Sequence, residues 1–405
     1  MKFRDIIYLL AIMLILQLVV SAIVEPLKEE RNQQALTDDT AIYPDKLSDI
    51  SIPASSEPKI NARAACVIDF ETGMILYEKN AFQKRSMAST TKIMTAIIAL
   101  ESCSLEDEVL ISGKAAWMDG STMGLKEGET VKMVDLLHGL LLCSGNDAAV
   151  AIAEFCAGST EAFAEIMTQK AREIGAYETS FANPHGLDAE NHYTTAYDLA
   201  KIARYALKNP VFNEIVKKQE YVYKGRTFKN TNEMLAGYEG ADGVKTGYTG
   251  LAGRCLVTSA TRNGMRFISV VLFCDTKNLR SQSSRQILDY SFIHYNRISL
   301  LERGTIVGSI PVERGRNAAS INAAVADDLQ TLIHEDEKDM LFTRVSMPEK
   351  LMAPVKQGAI LGTVSVFKED EIIAETAIIA REGVEKKTLS DYLSQVIVSW
   401  IHVFQ

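Results

Sequence analysis

The strongest constraint on how this chain folds is the run Ile93-Met94-Thr95-Ala96-Ile97-Ile98-Ala99-Leu100. It is apolar nearly all the way round. As a helix it has no face to offer water, so it belongs in the middle of a domain. Just before it stand Ser89-Thr90-Thr91-Lys92. Ser89 is expected at the helix start as an N-cap, where the helix N-terminus favours developing negative charge. Lys92 lies one turn further, and the i, i+3 spacing puts its amine on the same face as the Ser89 hydroxyl. A lysine held at a buried helix start is desolvated, which lowers its pKa and suits it to accept a proton. Serine beside a base is the minimum for acyl transfer. The pattern alone is not specific: Ser56-Glu57-Pro58-Lys59 repeats it, although Pro58 and polar surroundings oppose a buried helix there.

A length of 405 residues favours two domains and allows a large core. The net charge of −9 leaves no basic footprint for nucleic acid. The chain begins Met1-Lys2-Phe3-Arg4, is apolar from Ile6 to Val20, and continues Ser21-Ala22. That is the pattern of an export signal cleaved after Ala22. The apolar character reaches Val24, so an uncleaved N-terminal anchor is the alternative for residues 1–24. Either way the body of the protein is expected on the extracytoplasmic side. The 6 cysteines are Cys66, Cys103, Cys143, Cys156, Cys255 and Cys274. Most lie in apolar runs, and a chain this long needs no staples, so free buried thiols are expected. No C-x-x-C or Cys/His cluster has metal-ligand spacing, and no metal or cofactor is expected.

Residues 25–58 are polar and contain Pro44, Pro53 and Pro58, as in a linker. Ala65–Phe70 and Met74–Tyr77 read as strands around Glu71-Thr72-Gly73. The buried helix follows, and then a polar, glycine-rich stretch from Ser112 to Glu129 with no strong pattern. Thr130 is expected to cap a helix through Val134, Leu137 and Leu141. A break at Ser144-Gly145-Asn146 precedes a helix from Asp147 to near Gly158 and another over Thr160–Gly175. Thr195 caps a further helix that stops at Asn209-Pro210. Strands then return: a short one at Gly243–Thr246, and a hairpin of Cys255–Thr261 with Met265–Phe273 over Arg262-Asn263-Gly264. A helix over about 281–295 closes the unit. Strands, helices, then strands returning to one sheet give an α/β (α+β) domain, residues 59–297, with an antiparallel sheet flanked by helices. Residues 298–385 read as a small, mostly β domain without a catalytic constellation. In residues 386–405, Leu389, Leu393, Val396, Ile397, Trp400 and Phe404 form one apolar helical face. With Lys386 and Lys387 at its start, this segment suits a helix lying in a membrane interface.

Two further fragments carry chemistry. The hydroxyl of Ser144 and the amide of Asn146, held on a break between helices, can relay a proton and hold a substrate amide. Lys245-Thr246-Gly247 ends a strand, where a lysine, a hydroxyl and a bare backbone can grip a carboxylate and let substrate lie along the edge. S-x-x-K, S-x-N and K-T-G, in this order, make up the set found in penicillin-binding proteins and β-lactamases. Together with Asn183-Pro184-His185-Gly186-Leu187, Tyr193–Ala200 and Lys245-Thr246-Gly247-Tyr248-Thr249, the segment from Lys79 to Thr95 resembles the low-molecular-mass penicillin-binding proteins, the serine-type D-alanyl-D-alanine carboxypeptidases.

The resemblance implies a penicillin-binding, β-lactamase-like fold. It also implies a peptidase acting on peptidoglycan stem peptides that end in D-Ala-D-Ala, acylated by β-lactam antibiotics and attached to the membrane surface through residues 386–405. By the same resemblance Ser89 is the nucleophile and Lys92 takes its proton. Ser144 and Asn146 serve the leaving group and the substrate amide. Lys245 supports the relay and the positive potential, and Thr246 holds the terminal carboxylate beside Gly247. The N–H groups of Ser89 and Tyr248 form the oxyanion hole. Arg280 assists carboxylate binding; read without the resemblance, it is a solvated arginine at a helix start. Tyr248 departs from relatives that carry histidine there. A β-lactamase shares the three motifs, but no Glu is followed four residues later by Asn between Ser144 and Lys245, and the β domain is extra. A non-catalytic acyl sensor is the other alternative; no second spanning segment supplies its output.

Overall fold

The computed structural model describes residues 57–394. The expected export signal, nearly all of the linker and the end of the expected tail helix lie outside the described residues. The chain divides into two compact units, one ending at Ser291 and one beginning at Phe292.

The first unit is built on five strands: β1 (Ala64–Asp69), β2 (Ile75–Lys79), β3 (Ala241–Thr249), β4 (Gly253–Arg262) and β5 (Met265–Cys274). They form one sheet in the order β2-β1-β5-β4-β3, antiparallel throughout. Every residue of β1 is buried. That is why Ala-Ala-Cys-Val-Ile-Asp shows no polar alternation: the strand is covered on both faces. β4 and β5 are joined across Asn263-Gly264, with Arg262 opposite Met265. Both turn residues have positive φ, 50° and 74°, the requirement of a tight turn whose twist matches the strands. The expected three-residue turn is thus one residue shorter.

The α-helices longer than four residues are α1 (Lys92–Ser102), α2 (Met133–Leu141), α3 (Asn146–Ala157), α4 (Thr160–Ile174), α5 (Ala196–Leu207), α6 (Pro210–Val216) and α7 (Lys277–His294). From Lys92 to Ala99 every residue of α1 is buried, and α2, α3 and α5 pack around it. α5 also lies on β1 and β5. Thr195 caps it as expected, accepting from the Asp198 N–H.

Four local expectations need correction. Ser89 does not cap α1. It sits in a 3-10 turn, Ala88–Thr91, and the residue before α1 is Thr91, which makes no side-chain cap. The hydroxyls of Thr90 and Thr91 donate back to the carbonyls of Met87 (2.6 Å) and Ala88 (2.8 Å), which tightens the turn before the α-helix begins. Thr130 is not a cap either. Thr130–Lys132 is a strand paired with Glu108–Leu110, so cross-strand pairing replaces capping. Pro210 starts a helix rather than merely ending one: Asn209 accepts from the N–H groups of Val211 and Phe212, and proline is favoured at a first helical position. Finally, β3 extends well beyond Gly243–Thr246 in both directions, because β4 offers it a partner along its full length.

The second unit is mostly β, as expected. It has a six-stranded sheet over a core that includes Ile310, Val312, Ile321, Val325, Val364, Val366 and Ile378. Near its end Lys386 bridges to Gly315. A helical turn then begins after Thr388, whose N–H and hydroxyl both donate to Asp391 at 2.7 Å.

Candidate active site

The site is assembled where the Ala88–Thr91 turn, the start of α3, the loop 183–188 and strand β3 converge. Ala88 has φ 47°, a conformation a residue with a side chain adopts only when its surroundings enforce it. The enforcement comes from two glycines. Gly186 has φ +94°, and a Cβ there would lie 2.0 Å from the Ala88 carbonyl oxygen. A Cβ on Gly247 would lie 3.0 Å from the Ser89 nitrogen and from the Met87 carbonyl oxygen. The K-T-G glycine therefore lets β3 run hard against the serine turn.

Lys92 is the hub. It is 0% exposed. Its Nζ lies 3.0 Å from Ser89 Oγ, 2.7 Å from Asn146 Oδ1 and 2.5 Å from the His185 carbonyl oxygen. Burial, and next the charge of Lys245, hold its pKa well below the ordinary lysine value. A neutral amine has two hydrogens and one lone pair. In that form the Asn146 and His185 oxygens would take the hydrogens, leaving the lone pair for the Ser89 hydroxyl.

Asn146 is fixed in turn. Its side-chain N–H donates to the Asp119 carbonyl at 2.6 Å, and its backbone N–H donates to the Ser121 carbonyl at 2.7 Å. Ser144 stands beside it with φ 65°, buried but outside this bonded set. Next to Asn146, the buried carboxylate of Asp147 accepts from the N–H groups of Met123, Gly124, Leu125 and Ala148 at 2.8–3.1 Å. Sequence reasoning missed Asp147, although an acid in the first turn of a helix after S-x-N is a readable signal. Residues 123–125 of the polar stretch that looked patternless are tied to the start of α3 by this side chain.

On the opposite wall Lys245 is 1% exposed, and its Nζ donates to the Thr246 carbonyl at 3.0 Å. Burial first, then the charge of Arg280, lower its pKa to about 7 against an opposing pull from Cys143. The Thr246 hydroxyl is 2.7 Å from that of Thr231. Arg280 is not a solvated arginine. It is 3% exposed, and its Nη2 donates to both oxygens of Glu233 at 2.7 Å. Ser281 donates to Glu233 as well. Neither Thr231 nor Glu233 carries a sequence signal, since nothing in their spacing links them to Lys245 or Arg280. At the mouth, Tyr248 is exposed and Arg254 stacks 3.6 Å from its ring centroid. Thr249 donates to Asp188 at 2.7 Å and so ties the end of β3 to the loop 183–188.

A serine hydroxyl beside a lysine whose pKa burial lowers, with an asparagine amide on one wall and a lysine and a threonine hydroxyl on the other, defines an active-site-serine acyl-transfer enzyme. Residues 52–276 match the family model described as D-alanyl-D-alanine carboxypeptidase. Residues 295–386 match that of the penicillin-binding protein 5 C-terminal domain. The chain is 35% identical to the D-alanyl-D-alanine carboxypeptidase DacF of Bacillus subtilis over 85% of this chain and 92% of that one. It is 33% identical to DacC of Escherichia coli over 81% of this chain and 86% of that one. The crystal structure of a peptidoglycan synthesis regulatory factor (PBP3) from Streptococcus pneumoniae superposes with a TM-score of 0.70 at 28% identity, covering 81% of this chain and 100% of that chain. The chain belongs to the D-alanyl-D-alanine carboxypeptidase family and is a serine-type carboxypeptidase of that family.

Proposed function

We propose that this enzyme removes the terminal D-alanine from peptidoglycan stem peptides, and that Ser89 is its nucleophile. In this reading Ser89 Oγ attacks the carbonyl carbon of the penultimate D-alanine while its proton passes to Lys92 Nζ. The N–H groups of Ser89 and Tyr248 hold the oxyanion. The proton then returns to the leaving nitrogen by way of Ser144, D-alanine departs, and water hydrolyses the Ser89 ester. Asn146 holds the substrate amide. Lys245 and Thr246 hold the terminal carboxylate, with Arg280 reinforcing the positive potential and Gly247 leaving the strand edge open to substrate. A β-lactam presents an amide and a carboxylate in the same relation, so it acylates the same hydroxyl. The observation that carries the reading is the contact of Lys92 Nζ with Ser89 Oγ at 3.0 Å, in a buried setting that lowers the pKa of the amine.

The same reading places the enzyme on the extracytoplasmic face of the membrane, delivered by residues 1–24 and held by the tail 386–405. Among the described residues no helix is long and apolar enough to cross a membrane.

The test is D-alanine release from a diacetyl-Lys-D-Ala-D-Ala peptide, together with labelling by a fluorescent penicillin. The wild type releases D-alanine over many turnovers and is labelled. Ser89→Ala does neither, and Ser56→Ala does both. Labelling of Ser89→Ala would sink the assignment of the nucleophile. Labelling of the wild type without turnover would make the protein an acyl sensor.

A further inference from the structure

Two cysteines outside the catalytic network lie against each other. Cys103 Sγ and Cys156 Sγ are 2.8 Å apart. That is longer than a sulfur–sulfur bond, at about 2.0 Å, but well inside the distance at which two thiols rest in contact. The remaining thiols are placed differently: Cys66, Cys255 and Cys274 are buried, and Cys143 points to the Gly139 carbonyl at 3.1 Å.

The architecture explains why this pair meets. α1 begins at Lys92 and α3 at Asn146, and those two side chains are bonded at 2.7 Å. The two helices pack together and have nearly equal lengths, 11 and 12 residues. Two parallel helices of one length that start together also end together. Cys103 is the residue that closes α1, and Cys156 lies in the last turn of α3. Both are half-buried, so a small oxidant can reach them. The side-by-side ends are therefore a consequence of how the catalytic residues are held.

We propose that Cys103 and Cys156 form a disulfide that fastens the far ends of the two helices carrying Lys92 and Asn146. A small disulfide such as oxidised glutathione is a sufficient oxidant. The Cys103 thiolate attacks one of its sulfurs, forming a mixed disulfide and releasing one glutathione thiolate. The Cys156 thiolate then attacks the Cys103 sulfur, forming the internal bond and expelling the second glutathione thiolate. The two protein thiols lose two electrons and two protons, and the small disulfide is reduced to two thiols. Burial raises both protein thiols above the ordinary cysteine pKa, so the reaction runs faster as pH rises above neutrality.

The reduced full chain, native and without its export signal, is incubated with oxidised glutathione, alkylated under denaturing conditions and mapped by mass spectrometry. The expected product joins the Cys103 and Cys156 peptides at a mass two hydrogens below their sum, with the other four cysteines alkylated. The bond encloses residues 103–156, a long loop, so oxidation raises Tm by roughly 5–10 °C. Reductant reverses the rise, and Cys103→Ser and Cys156→Ser lack it. Three outcomes overturn the proposal: both thiols alkylated after oxidation, both left as glutathione adducts, or a bond between other partners such as Cys255 and Cys274. The peptide map of the wild type decides the matter even if a serine variant fails to fold.

Discussion

At the residue scale the site rests on two lysines that must carry opposite charge states. In the proposed mechanism Lys92 accepts a proton from Ser89 and must be neutral to do so. In the same mechanism Lys245 faces the substrate carboxylate and must be charged. Burial disfavours both charges, and the charge of Lys245 further disfavours that of Lys92. The pH dependence of kcat/KM reports the free enzyme. It rises with pH as Lys92 loses its proton, and falls as pH passes about 7, where Lys245 loses its own. Arginine keeps its charge at all these pH values. Lys245→Arg therefore lowers the rate but removes the alkaline limb from the profile measured on the small peptide. An alkaline limb that persists near the same pH in that variant would show that Lys245 is not the group responsible.

At the scale of elements, the start of α3 and the loop before it act as one piece, because Asp147 spans them. Its carboxylate takes three N–H groups of the loop and one of its own helix. Asn146 in turn is held by carbonyls of the same loop. In Asp147→Ala four N–H groups lose a charged acceptor in a buried setting, which costs about 3 kcal/mol. Tm falls by roughly 6–12 °C. Because Asn146 is then free to shift against Lys92, acylation by penicillin slows by about tenfold or more in the fraction that remains folded. A melting curve within about 2 °C of wild type, with an unchanged acylation rate, would show that the loop holds its shape by other contacts.

At the scale of the whole molecule, the residues proposed to act in catalysis all belong to the first unit, and the second contributes its own β core. The C-terminal segment beyond that core bears on where the enzyme resides. Lys386 is tied to Gly315, and the helical turn after Thr388 leaves Leu389 and Leu393 exposed at 78% and 57%. Exposed leucines at i, i+4 on one face suit a membrane interface, with apolar burial carrying the affinity because only two lysines stand nearby. Removing residues 388–405 from the signal-cleaved protein keeps the Lys386 bridge. It is expected to leave peptide hydrolysis unchanged while abolishing co-sedimentation with phosphatidylglycerol vesicles. Co-sedimentation equal to that of the full chain would rule out the tail as the anchor.

The sequence by itself determined whatever depends on neighbours along the chain. The apolar run after Lys92 could only be a buried helix, and the i, i+3 step placed the amine beside the Ser89 hydroxyl. The order of S-x-x-K, S-x-N and K-T-G identified the family, and Thr195 announced the start of α5. Tertiary structure decided what depends on partners far apart in sequence. Ser89 lies in a 3-10 turn instead of capping α1, because Gly186 and Gly247 bring other segments against Ala88 and Ser89. Thr130 became a strand because Glu108–Leu110 lay within reach. Arg280 is buried against Glu233, Asp147 organises a loop more than twenty residues upstream, and Cys103 meets Cys156. Apart from Asp147, whose place in the first turn after S-x-N could be read, these pairings leave no periodicity or motif, because only the packed sheet and helices bring their partners together.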